Sequence, residues 1–555
     1  MSKRLLFTAA LLATSHSAFA QQIPNAGTQL RQIPPAPAQA PNDPVFRVEP
    51  RPAETETGPA GATVQVNQLH LTGQTLFSEA ELIAASGFAP GSRLSLGDLR
   101  LLAAHISAFY NERGYFLTQA YLPPQDISAG TVTIAVLEGR YGEVAIHNDS
   151  HLRDSVARRS LSGLDSGDIV ASAPLERRLL LLSDIPGIVV RSTLTPGSAV
   201  GTSDLAVAIE PGRRISGSVE ADNGGNRYTG AWRLGGSIDL NNPTGIGDRL
   251  SVRLLGSPSG LAYGRLAYQA PVGALTVGAA YSHLRYDLGH EFSSLDADGT
   301  ADIASLYASY PLIRSRDANL YALGSLEAHW FTDRIRLIDS RTEKRSQTAT
   351  LGLAGDSHDL FGGGGWTTAS FAWTYGNLDI RTPLDRAIDD LTARSNGHFN
   401  EVRFAAARLQ TISGPLSLYA SVRGQIAFDN LDSSEKMELG GAYGVRAYPE
   451  GEAYGDEGAI ATAEARLMLG RWTGTLPGQL QLIGFVDAGR VHFAHDPWFP
   501  GSNRASRSGY GAGLNWFGPD NLVVRAAYAR RFGDQAATSA PDRNGRFWLQ
   551  VVKLF

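Results

Sequence analysis

One arginine and one aspartate have the residue types and the surroundings for a specific ion pair. Arg446 lies in a glycine-rich stretch, residues 440–451, whose glycines accept positive φ angles and let backbone segments approach closely. Asp487 lies about forty residues further on, in a segment that alternates like a β-strand. Because a guanidinium and a carboxylate can form two parallel hydrogen bonds, the pair predicts that the loop folds back and is held there. The alternative is an exposed hairpin loop with solvated charges, since surface ion pairs contribute little stability.

The residues around these two charges resemble paired motifs of the Omp85 superfamily, V-R-G-Y/F in a loop and F-x-D-x-G in a following strand. The loop here reads Val445-Arg446-Ala447-Tyr448 and the strand reads Phe485-Val486-Asp487-Ala488-Gly489. Ala447 stands where the family pattern has glycine, which leaves the local backbone geometry of the loop open. The resemblance implies a loop latched inside a barrel by residues of both motifs, namely Gly444, Val445, Arg446 and Tyr448 in the loop and Phe485, Asp487 and Gly489 in the wall.

No stretch of the sequence carries an enzyme signature. The motifs G-x-S-x-G, H-E-x-x-H and G-x-x-x-x-G-K-[ST] do not occur, so no catalytic residue and no cofactor is predicted. Cysteine is absent, which excludes disulfides and metal sites built on thiolates, and no metal site is predicted. His283, His290 and His329 are scattered and are interpreted as lumen or loop residues. The formal net charge of -5 gives no indication of nucleic-acid binding.

The N-terminus has the pattern of an export signal. Lys3 and Arg4 precede an apolar run over residues 5–13, and Ala18-Phe19-Ala20 forms an A-x-A cleavage site, so residues 1–20 are predicted to be a signal peptide. No later stretch reaches the ~18 uninterrupted apolar residues of a spanning helix. The exported chain is therefore expected to be soluble or a β-barrel.

Residues 21–61 are rich in proline, alanine and glutamine, a composition typical of an extended, poorly packed linker. A short helix fits between Asn25 and Gln32. In the transporters that the chain resembles (see below), an N-terminal helix plugs the barrel. Whether this short, proline-bounded segment does so is left open by the sequence.

Residues 62–139 mix strand and helix patterns. Strands are predicted over Val64–Leu69, 116–122 and 131–137, with two helices between the first and second, one opened by a capping box at Ser78-x-x-Glu81 and one over 96–113. This β-α-α-β-β order resembles a POTRA domain, as do the sequence elements Gly114-Tyr115, Leu122-Pro123-x-Gln125 and Val136-Leu137-Glu138-Gly139.

Residues 140–211 repeat the same order more loosely. The predicted elements are a strand at 141–146, helices near 152–161 and 175–182, and strands at 188–194 and 204–209. The chain is therefore predicted to carry two POTRA units, residues 62–139 and 140–211.

From residue 212 onward the helical signal disappears and residues alternate with a period of two. Ile215, Gly217, Val219 and Ala221 alternate with polar residues, the apolar-out and polar-in pattern of a membrane barrel. Counting such segments gives about sixteen strands, an even number as in single-chain bacterial barrels. The predicted fold class is therefore α+β periplasmic POTRA domains followed by an all-β, 16-stranded transmembrane outer-membrane β-barrel over residues 212–555.

The connections between these segments alternate in length. Short ones occur at 241–245, 271–273 and 518–520, and long ones at 286–301, 332–345, 377–397, 429–457, 490–507 and 533–544. Short turns belong on the periplasmic side and long loops outside, which makes residues 429–457 the sixth outer loop, between strands eleven and twelve. The last strand ends on Phe555, which resembles the C-terminal signal for outer-membrane insertion.

Together these features resemble the transporter partner of two-partner secretion, the ShlB/FhaC/HecB family of the Omp85 superfamily. The resemblance implies a protein of the Gram-negative outer membrane, with its POTRA domains in the periplasm, that exports a large exoprotein. Whether it also activates that exoprotein is left open. The implied partners are the unfolded exoprotein, outer-membrane lipids and the barrel-assembly machinery, with no nucleic acid. Since ATP is not available there, folding of the exoprotein outside would drive export.

Three other functions stay open at this point. A general outer-membrane insertase is the nearest, a passive porin is of a different class, and a barrel hydrolase would assemble its site from distant residues. The sequence also leaves the cargo undetermined among a haemolysin, an adhesin, a haem-scavenging protein and a contact-dependent toxin.

Overall fold

The computed structural model describes residues 23–37, 44–48, 63–127, 130–471 and 477–555. The predicted signal peptide, residues 1–20, lies outside these ranges. The chain divides into two compact units. Of the described residues, those from 44 to 213 and 244–247 form an α+β unit, and residues 23–37 with those of 214–243 and 248–555 form a barrel unit.

The α+β unit contains nine strands and four helices among its described residues. The strands are β1 Val45–Val48, β2 Thr63–Val66, β3 Gln68–Thr72, β4 Ser92–Ser95, β5 Gln119–Tyr121, β6 Thr131–Leu137, β7 Arg140–Asn148, β8 Ile188–Pro196 and β9 Thr202–Pro211. The helices are Glu79–Ser86, Leu96–Glu112, Asp154–Ser160 and Ser172–Ser183. The strands form a β2-β4 pair, a sheet in the order β3-β6-β5 and a sheet in the order β1-β8-β9-β7.

The first half of this unit follows its local signals except at two places, the first predicted strand and an unpredicted strand, β4, which lies between the two helices and pairs with β2. Ser78 and Glu81 form the predicted capping box, because each side chain accepts from the other's backbone N–H. The predicted single strand Val64–Leu69 is wrong, since the structure has β2 and β3 separated at Asn67. The backbone N–H groups of Asn67 and Gln68 both donate to the Gly130 carbonyl, at 2.7 and 3.2 Å, and this shared acceptor bends the chain.

The second half follows the predicted order of strand, two helices and two strands, around a core that includes Leu175, Leu179 and Val207. Residues 21–61 were predicted to be a poorly packed linker. The two stretches of this region that the structure describes, residues 23–37 and 44–48, are packed instead. Val45–Val48 forms a strand that pairs in parallel with β8, and Phe46 packs against this core. Residues 23–37 are also packed, within the barrel unit. The composition of residues 21–61 predicted an unpacked chain. It could not show the burial of these two stretches, because the surfaces that bury them are formed by residues far away in the sequence.

Glu138 is the hydrogen-bonding centre of the first half. Its carboxylate, 2% exposed, accepts from the backbone N–H groups of Thr75 and Leu76, at 2.7 and 3.0 Å, and from the Tyr110 hydroxyl at 2.9 Å. Burial raises the pKa of the Glu138 carboxyl, but these hydrogen bonds lower it more, so the pKa lies below its ordinary value. The charged carboxylate therefore stabilises the fold fully at pH values above the ordinary glutamate pKa, and this contribution is lost as the pH falls through the lowered pKa.

We expect Glu138→Gln to lower the local stability around residues 75 and 76 by about 1–3 kcal/mol, because an amide cannot accept all of these donors. The measurement is hydrogen exchange of those two amides in the full-length protein. Because the folded pKa is lowered, the parent's protection factors should fall as the pH drops through that lowered pKa, and those of Glu138→Gln should not. Glu143→Gln, at an exposed position, is the control. Equal protection in Glu138→Gln and the parent would contradict the assigned role.

The barrel unit is a closed antiparallel barrel of sixteen strands, which confirms the predicted fold class. A two-stranded pair, β21 Met437–Glu438 and β22 Tyr454–Gly455, lies between the eleventh and twelfth barrel strands. In order, the barrel strands are β10 Ile215–Asp222, β11 Arg233–Asn241, β12 Arg249–Gly256, β13 Leu261–Val272, β14 Leu275–Asp287, β15 Ala297–Arg314, β16 Ala318–Ile335, β17 Ser340–Asp359, β18 Gly365–Ile380, β19 Gly397–Ser413, β20 Leu416–Ala427, β23 Glu457–Arg471, β24 Gln479–His492, β25 Arg504–Phe517, β26 Leu522–Arg531 and β27 Gly545–Leu554.

The predicted alternation of faces is present from the first strand. Ile215 and Val219 are exposed on the outside of β10, whereas Ser218 and Glu220 are buried inside. The longest connections follow odd-numbered strands, although those after β12 and β16 are short, and residues 428–456 form the sixth outer loop, between β20 and β23. The predicted long connection 332–345 is wrong, because β16 and β17 extend into it and leave only residues 336–339 between them. The fifth outer loop contains a helix, Pro383–Leu391, that the sequence analysis did not predict.

The helices in the described ranges are all too short or too polar to cross a membrane.

Candidate functional site

The sixth outer loop is joined to the barrel wall by the predicted pair. Arg446 donates from Nε to Asp487 Oδ2 and from Nη2 to Asp487 Oδ1, both at 2.8 Å, and its backbone N–H donates to Oδ2 at 3.2 Å. The Arg446 side chain is 13% exposed and the Asp487 side chain 0%. Asp487 faces inward because it shares the parity of Phe485 on β24. The contact is therefore a buried, bidentate ion pair that holds the loop inside the barrel.

Further groups complete the surroundings of the Arg446 guanidinium. Arg446 Nη1 lies 2.8 Å from Glu464 Oε1 on the neighbouring strand β23, and the guanidinium carbon lies 3.5 Å from the centroid of the Phe485 ring. Thr462 donates to Asp487 Oδ1 at 2.9 Å, and Trp548 donates to the Arg446 carbonyl at 2.7 Å. Each buried charge in this network has an opposite charge and hydrogen bonds, so removal of one partner would leave the other buried and uncompensated.

The remaining loop residues of the motif pack around this pair. Val445 and Tyr448 are 0% and 1% exposed, and the Tyr448 hydroxyl donates to the Gln535 carbonyl in the eighth outer loop at 3.1 Å. A Cβ atom at Gly444 would lie 2.3 Å from two loop carbonyl oxygens, so this position needs glycine for close backbone approach.

Ala447 replaces the family glycine without backbone strain. It is not among the described residues with positive φ. Its side chain lies against Gly509 of β25, where a Cβ would come within 2.4 Å of the Ala447 Cβ. The missing side chain of Gly509 therefore provides the space that the alanine occupies.

Gly489 belongs to the same site, whereas Phe555 does not. A Cβ at Gly489 would meet Leu439 of the loop at 2.9 Å, so the glycine lets the loop approach the wall. Phe555 lies at the seam between the first and last strands. Its backbone N–H donates to the Gly217 carbonyl at 3.1 Å, and its carbonyl accepts from Gly217 at 3.0 Å.

Several buried ion pairs that hold the same loop were missed by the sequence analysis. Glu452 accepts from Arg507 of β25 at 2.6 Å and from the backbone of Thr538 and Ser539 in the eighth outer loop, at 2.8 and 3.0 Å. Three other charged pairs link the loop to strands or to itself, namely Lys344 with Asp432, Arg403 with Glu435, and Lys436 with Asp456. These residues belong to no recognised motif. The sequence feature that could have indicated buried ion pairs is the number of charged residues in a glycine-rich loop.

The N-terminal helix, Ala26–Arg31, lies in the lumen between the wall and this loop. Asn25 caps the helix and donates to Ser433 Oγ at 2.9 Å, while the Ala26 N–H donates to Asp333 of β16 at 2.8 Å. A Cβ at Gly27 would meet Ser434 at 2.8 Å, so helix and loop are in close contact.

The end of the helix is bound by two arginines of the wall. Arg233 donates to the carbonyl of the C-cap residue Gln32 at 3.0 Å, a group that the helix end leaves free, and Arg253 donates to the Pro34 carbonyl just beyond it at 2.6 Å. Each arginine also pairs at 2.8 Å with a wall carboxylate, Asp222 and Glu220 respectively. Thr229 donates to Gln29 at 2.7 Å. The helix is thus positioned by specific polar contacts as well as by packing.

The chemistry of this site is binding and closure. In the described ranges no group of three or more histidine and acidic side chains is arranged to hold a metal ion. Of the histidines predicted to be lumen or loop residues, His290 lies in the third outer loop and His329 lies buried in the wall beside Glu327 at 3.1 Å. The prediction is wrong for His283, which lies within β14 on the same exposed face as Tyr281, beside Asp302 at 2.8 Å. The buried charges hold two segments inside the barrel, the N-terminal helix and the sixth outer loop.

A sixteen-stranded barrel with an inner loop latched by arginine and aspartate defines an outer-membrane barrel of the Omp85 superfamily. A family model described as haemolysin secretion/activation protein ShlB/FhaC/HecB matches residues 201–516, and one described as POTRA domain, ShlB-type, matches residues 64–139. The chain therefore belongs to the ShlB/FhaC/HecB family of two-partner secretion transporters, which places it in the outer membrane with POTRA domains in the periplasm.

The most informative relatives agree with this assignment. The heme/hemopexin transporter protein HuxB of Haemophilus influenzae (strain 86-028NP) is 30% identical over 476 residues, 84% of this chain and 82% of that protein. The outer membrane transporter CdiB of Dickeya dadantii (strain 3937) is 25% identical over 457 residues, 80% and 78% of the two chains. The solved structure of CdiB from Escherichia coli has the same fold, with a TM-score of 0.72 at 21% identity over 91% of this chain and 93% of that one.

Proposed function

We propose that this translocator captures an unfolded exoprotein on its α+β unit and passes it through the barrel after the lumenal helix and the sixth outer loop are displaced. The observation that carries the proposal is the buried Arg446–Asp487 pair, which holds a loop in the space that a passive porin needs open. Folding of the exoprotein outside the cell supplies the free energy for export, since no ATP is available at the outer membrane.

The α+β unit supplies capture by its sheet edges. Residues 64–139 match the POTRA family, and residues 140–211 repeat the same order of elements in the structure, so we interpret both as POTRA domains. An extended segment can add to a sheet edge through backbone hydrogen bonds with little demand on its side chains. Binding of this kind is weak and tolerant of sequence, as a transporter of unfolded chains requires.

The cargo is proposed to be a large secreted exoprotein of the haem-acquisition type. HuxB, whose name gives it a heme/hemopexin role, is 30% identical to this chain, whereas the CdiB transporter of Dickeya dadantii is 25% identical. Lipids would contact the outward aromatic residues, including Tyr281, Trp373 and Phe547, which are 51%, 43% and 53% exposed. Phe555 is proposed as the residue that the barrel-assembly machinery recognises during insertion.

Deleting residues 23–37 is expected to raise the single-channel conductance in planar bilayers, because it removes the helix from the lumen and leaves Arg233, Arg253 and Asp333 facing water. The barrel should still insert, since the deleted segment forms none of its strands. An unchanged conductance in a correctly inserted barrel would show that the helix does not limit the pore.

Depletion of the protein distinguishes the proposed function from that of an insertase. We expect one exoprotein to accumulate in the periplasm while the abundance of other outer-membrane barrels stays constant, measured by quantitative proteomics of membrane and culture medium. The matched control is depletion rescued by a plasmid copy. General loss of outer-membrane barrels would contradict the proposal and indicate an insertase, and constant levels of both would indicate a porin.

A further inference from the structure

The lipid-facing surface of the barrel carries a groove across strands β14 to β19. Its volume is about 740 Å³, within the range of small-molecule sites in proteins. The large side chains of Leu306, Leu326 and Tyr375 border the groove and are exposed. Ala304 and Ala328, which are register partners on β15 and β16, give the groove its depth because their side chains are short. The groove is therefore an apolar recess between larger side chains.

The groove faces the membrane and not the lumen. Lys344 of β17 pairs with Asp432 of the sixth outer loop, inside the barrel. Because successive side chains of a strand point to opposite faces, Arg345 and Gln347 point outward. Leu351 continues this outward face and is 62% exposed, as expected for the apolar band of an outer-membrane barrel. Since β17 starts on the outer side, the change from Gln347 to Leu351 marks the outer edge of this band, where lipid head groups lie.

Three polar side chains form a row at the outer end of the groove. Gln347, Asn377 and His398 line the groove and are register partners on the adjacent strands β17, β18 and β19. Neighbouring strands lie about 4.8 Å apart, which sets the spacing along the row. The His398 ring stacks on the Tyr375 ring, with centroids 5.4 Å apart, and Nδ1 and the tyrosine hydroxyl are hydrogen-bonded at 2.8 Å. The row thus presents hydrogen-bond donors and acceptors at fixed spacing on the membrane side.

A cation lies beyond this row, toward the outside. Arg345 shares the outward face of β17 with Gln347 and is exposed. Among the residues that the structure describes, Arg345 forms no ion pair or side-chain hydrogen bond. The carboxylate of its register partner Asp379 accepts instead from Arg381 at 2.9 Å. A guanidinium with free donors at the level of the head groups has the charge and the geometry to bind a phosphate.

We propose that this groove binds the phosphorylated glycolipid of the outer leaflet, the lipid A part of lipopolysaccharide. An acyl chain lies in the apolar recess, the amides of Gln347 and Asn377 hydrogen-bond the sugar, and Arg345 binds a phosphate. A phospholipid supplies a chain and a phosphate but no sugar for the row of amides. The inference goes beyond the proposed export function, because it concerns which lipid the barrel binds and where.

Lipid binding to the purified full-length protein tests the proposal. The protein is delipidated in detergent and titrated separately with bisphosphorylated lipid A, phosphatidylglycerol and inorganic phosphate, and bound species are counted by native mass spectrometry. We expect the parent to bind lipid A more tightly than either of the other two. Arg345→Gln should weaken lipid A binding roughly tenfold, because a charge-assisted hydrogen bond is lost. Ala328→Phe should abolish it by filling the recess.

Matched controls separate the groove from the rest of the lipid-facing surface. Ala420→Phe makes the same change at an exposed position of β20 outside the groove. Arg285→Gln removes another outward arginine, one that lies 3.6 Å from Asp287. Both should bind lipid A as the parent does. Heat-modifiable migration shows whether each variant is folded, and Gln347→Leu, which removes an amide at similar volume, gives a second test if Ala328→Phe does not fold.

Four results would overturn the inference. The first is equal binding of lipid A and phosphatidylglycerol by the parent, which would indicate unspecific lipid contact. The second is inorganic phosphate bound as tightly as lipid A, which would indicate an anion site without a lipid. The third is unchanged lipid A binding in the folded groove variants. The fourth is a mass of two barrels that is lost in Ala328→Phe, which would assign the groove to a second copy of the chain.

Discussion

Removal of residues 64–211, with the barrel retained in the outer membrane, is expected to abolish export of the exoprotein. The deletion takes away strands β3 to β9, which form almost all of the two larger sheets of the α+β unit, so no backbone template for capture remains. The sixteen strands of the barrel all lie outside the deleted range. Exoprotein should therefore accumulate in the periplasm, measured by immunoblotting of periplasm and culture medium.

Two controls show whether a loss of export reflects the missing α+β unit or a damaged barrel. Heat-modifiable migration in gels should show that the truncated barrel is folded, and conductance should show that it is inserted. Undiminished secretion from a folded, inserted barrel without residues 64–211 would exclude capture by the α+β unit.

Arg446→Ala is expected to impair secretion and alter pore conductance without preventing insertion. The substitution leaves Asp487, which is fully buried, without its positive partner, and breaking a buried ion pair of this kind costs about 3–5 kcal/mol. Asp487→Ala should act in the same direction with a smaller effect, because Arg446 then keeps Glu464 at 2.8 Å. Arg446→Lys should rescue only in part, since an ammonium group cannot reproduce both hydrogen bonds of the guanidinium.

The matched control is Arg227→Ala. Arg227 also binds a carboxylate through two hydrogen bonds, to Glu291 at 3.2 and 2.9 Å, but the two side chains are 31% and 48% exposed. An exposed pair of this kind contributes about 0–1 kcal/mol, so secretion and heat stability should stay near those of the parent. The decisive comparison is the double variant Arg446→Ala/Asp487→Ala. If the two single effects add independently in secretion and heat-stability assays, the latch mechanism is wrong.

Local signals in the sequence predicted those features that depend on local chemistry. The parity of Asp487 with Phe485 and Gly489 indicated an inward side chain, and the resemblance to the paired Omp85 motifs implied that Asp487 is the partner of Arg446. The Ser78 capping box and the apolar-out alternation from Ile215 are likewise properties of neighbouring residues, and both occur in the structure.

Features that depend on distant partners were not predictable in the same way. Glu452 is buried because Arg507 and the eighth outer loop close over it, and no pattern near residue 452 specifies either one. Phe46 lies in a proline-rich stretch, and its burial depends on a distant core whose buried members begin at Tyr141. The strand β1 and the extra ion pairs of the loop therefore required the three-dimensional structure.

The central claim is that this barrel passes an unfolded exoprotein across a membrane without ATP, and transport into proteoliposomes tests it most directly. The purified protein is inserted with its α+β unit facing outward, and unfolded exoprotein is added outside in nucleotide-free buffer. We expect exoprotein to become protected from external protease in vesicles with the parent protein and far less in vesicles with Arg446→Ala. Exoprotein that stays fully accessible to protease in parent vesicles, with the barrel folded and conducting, would contradict it.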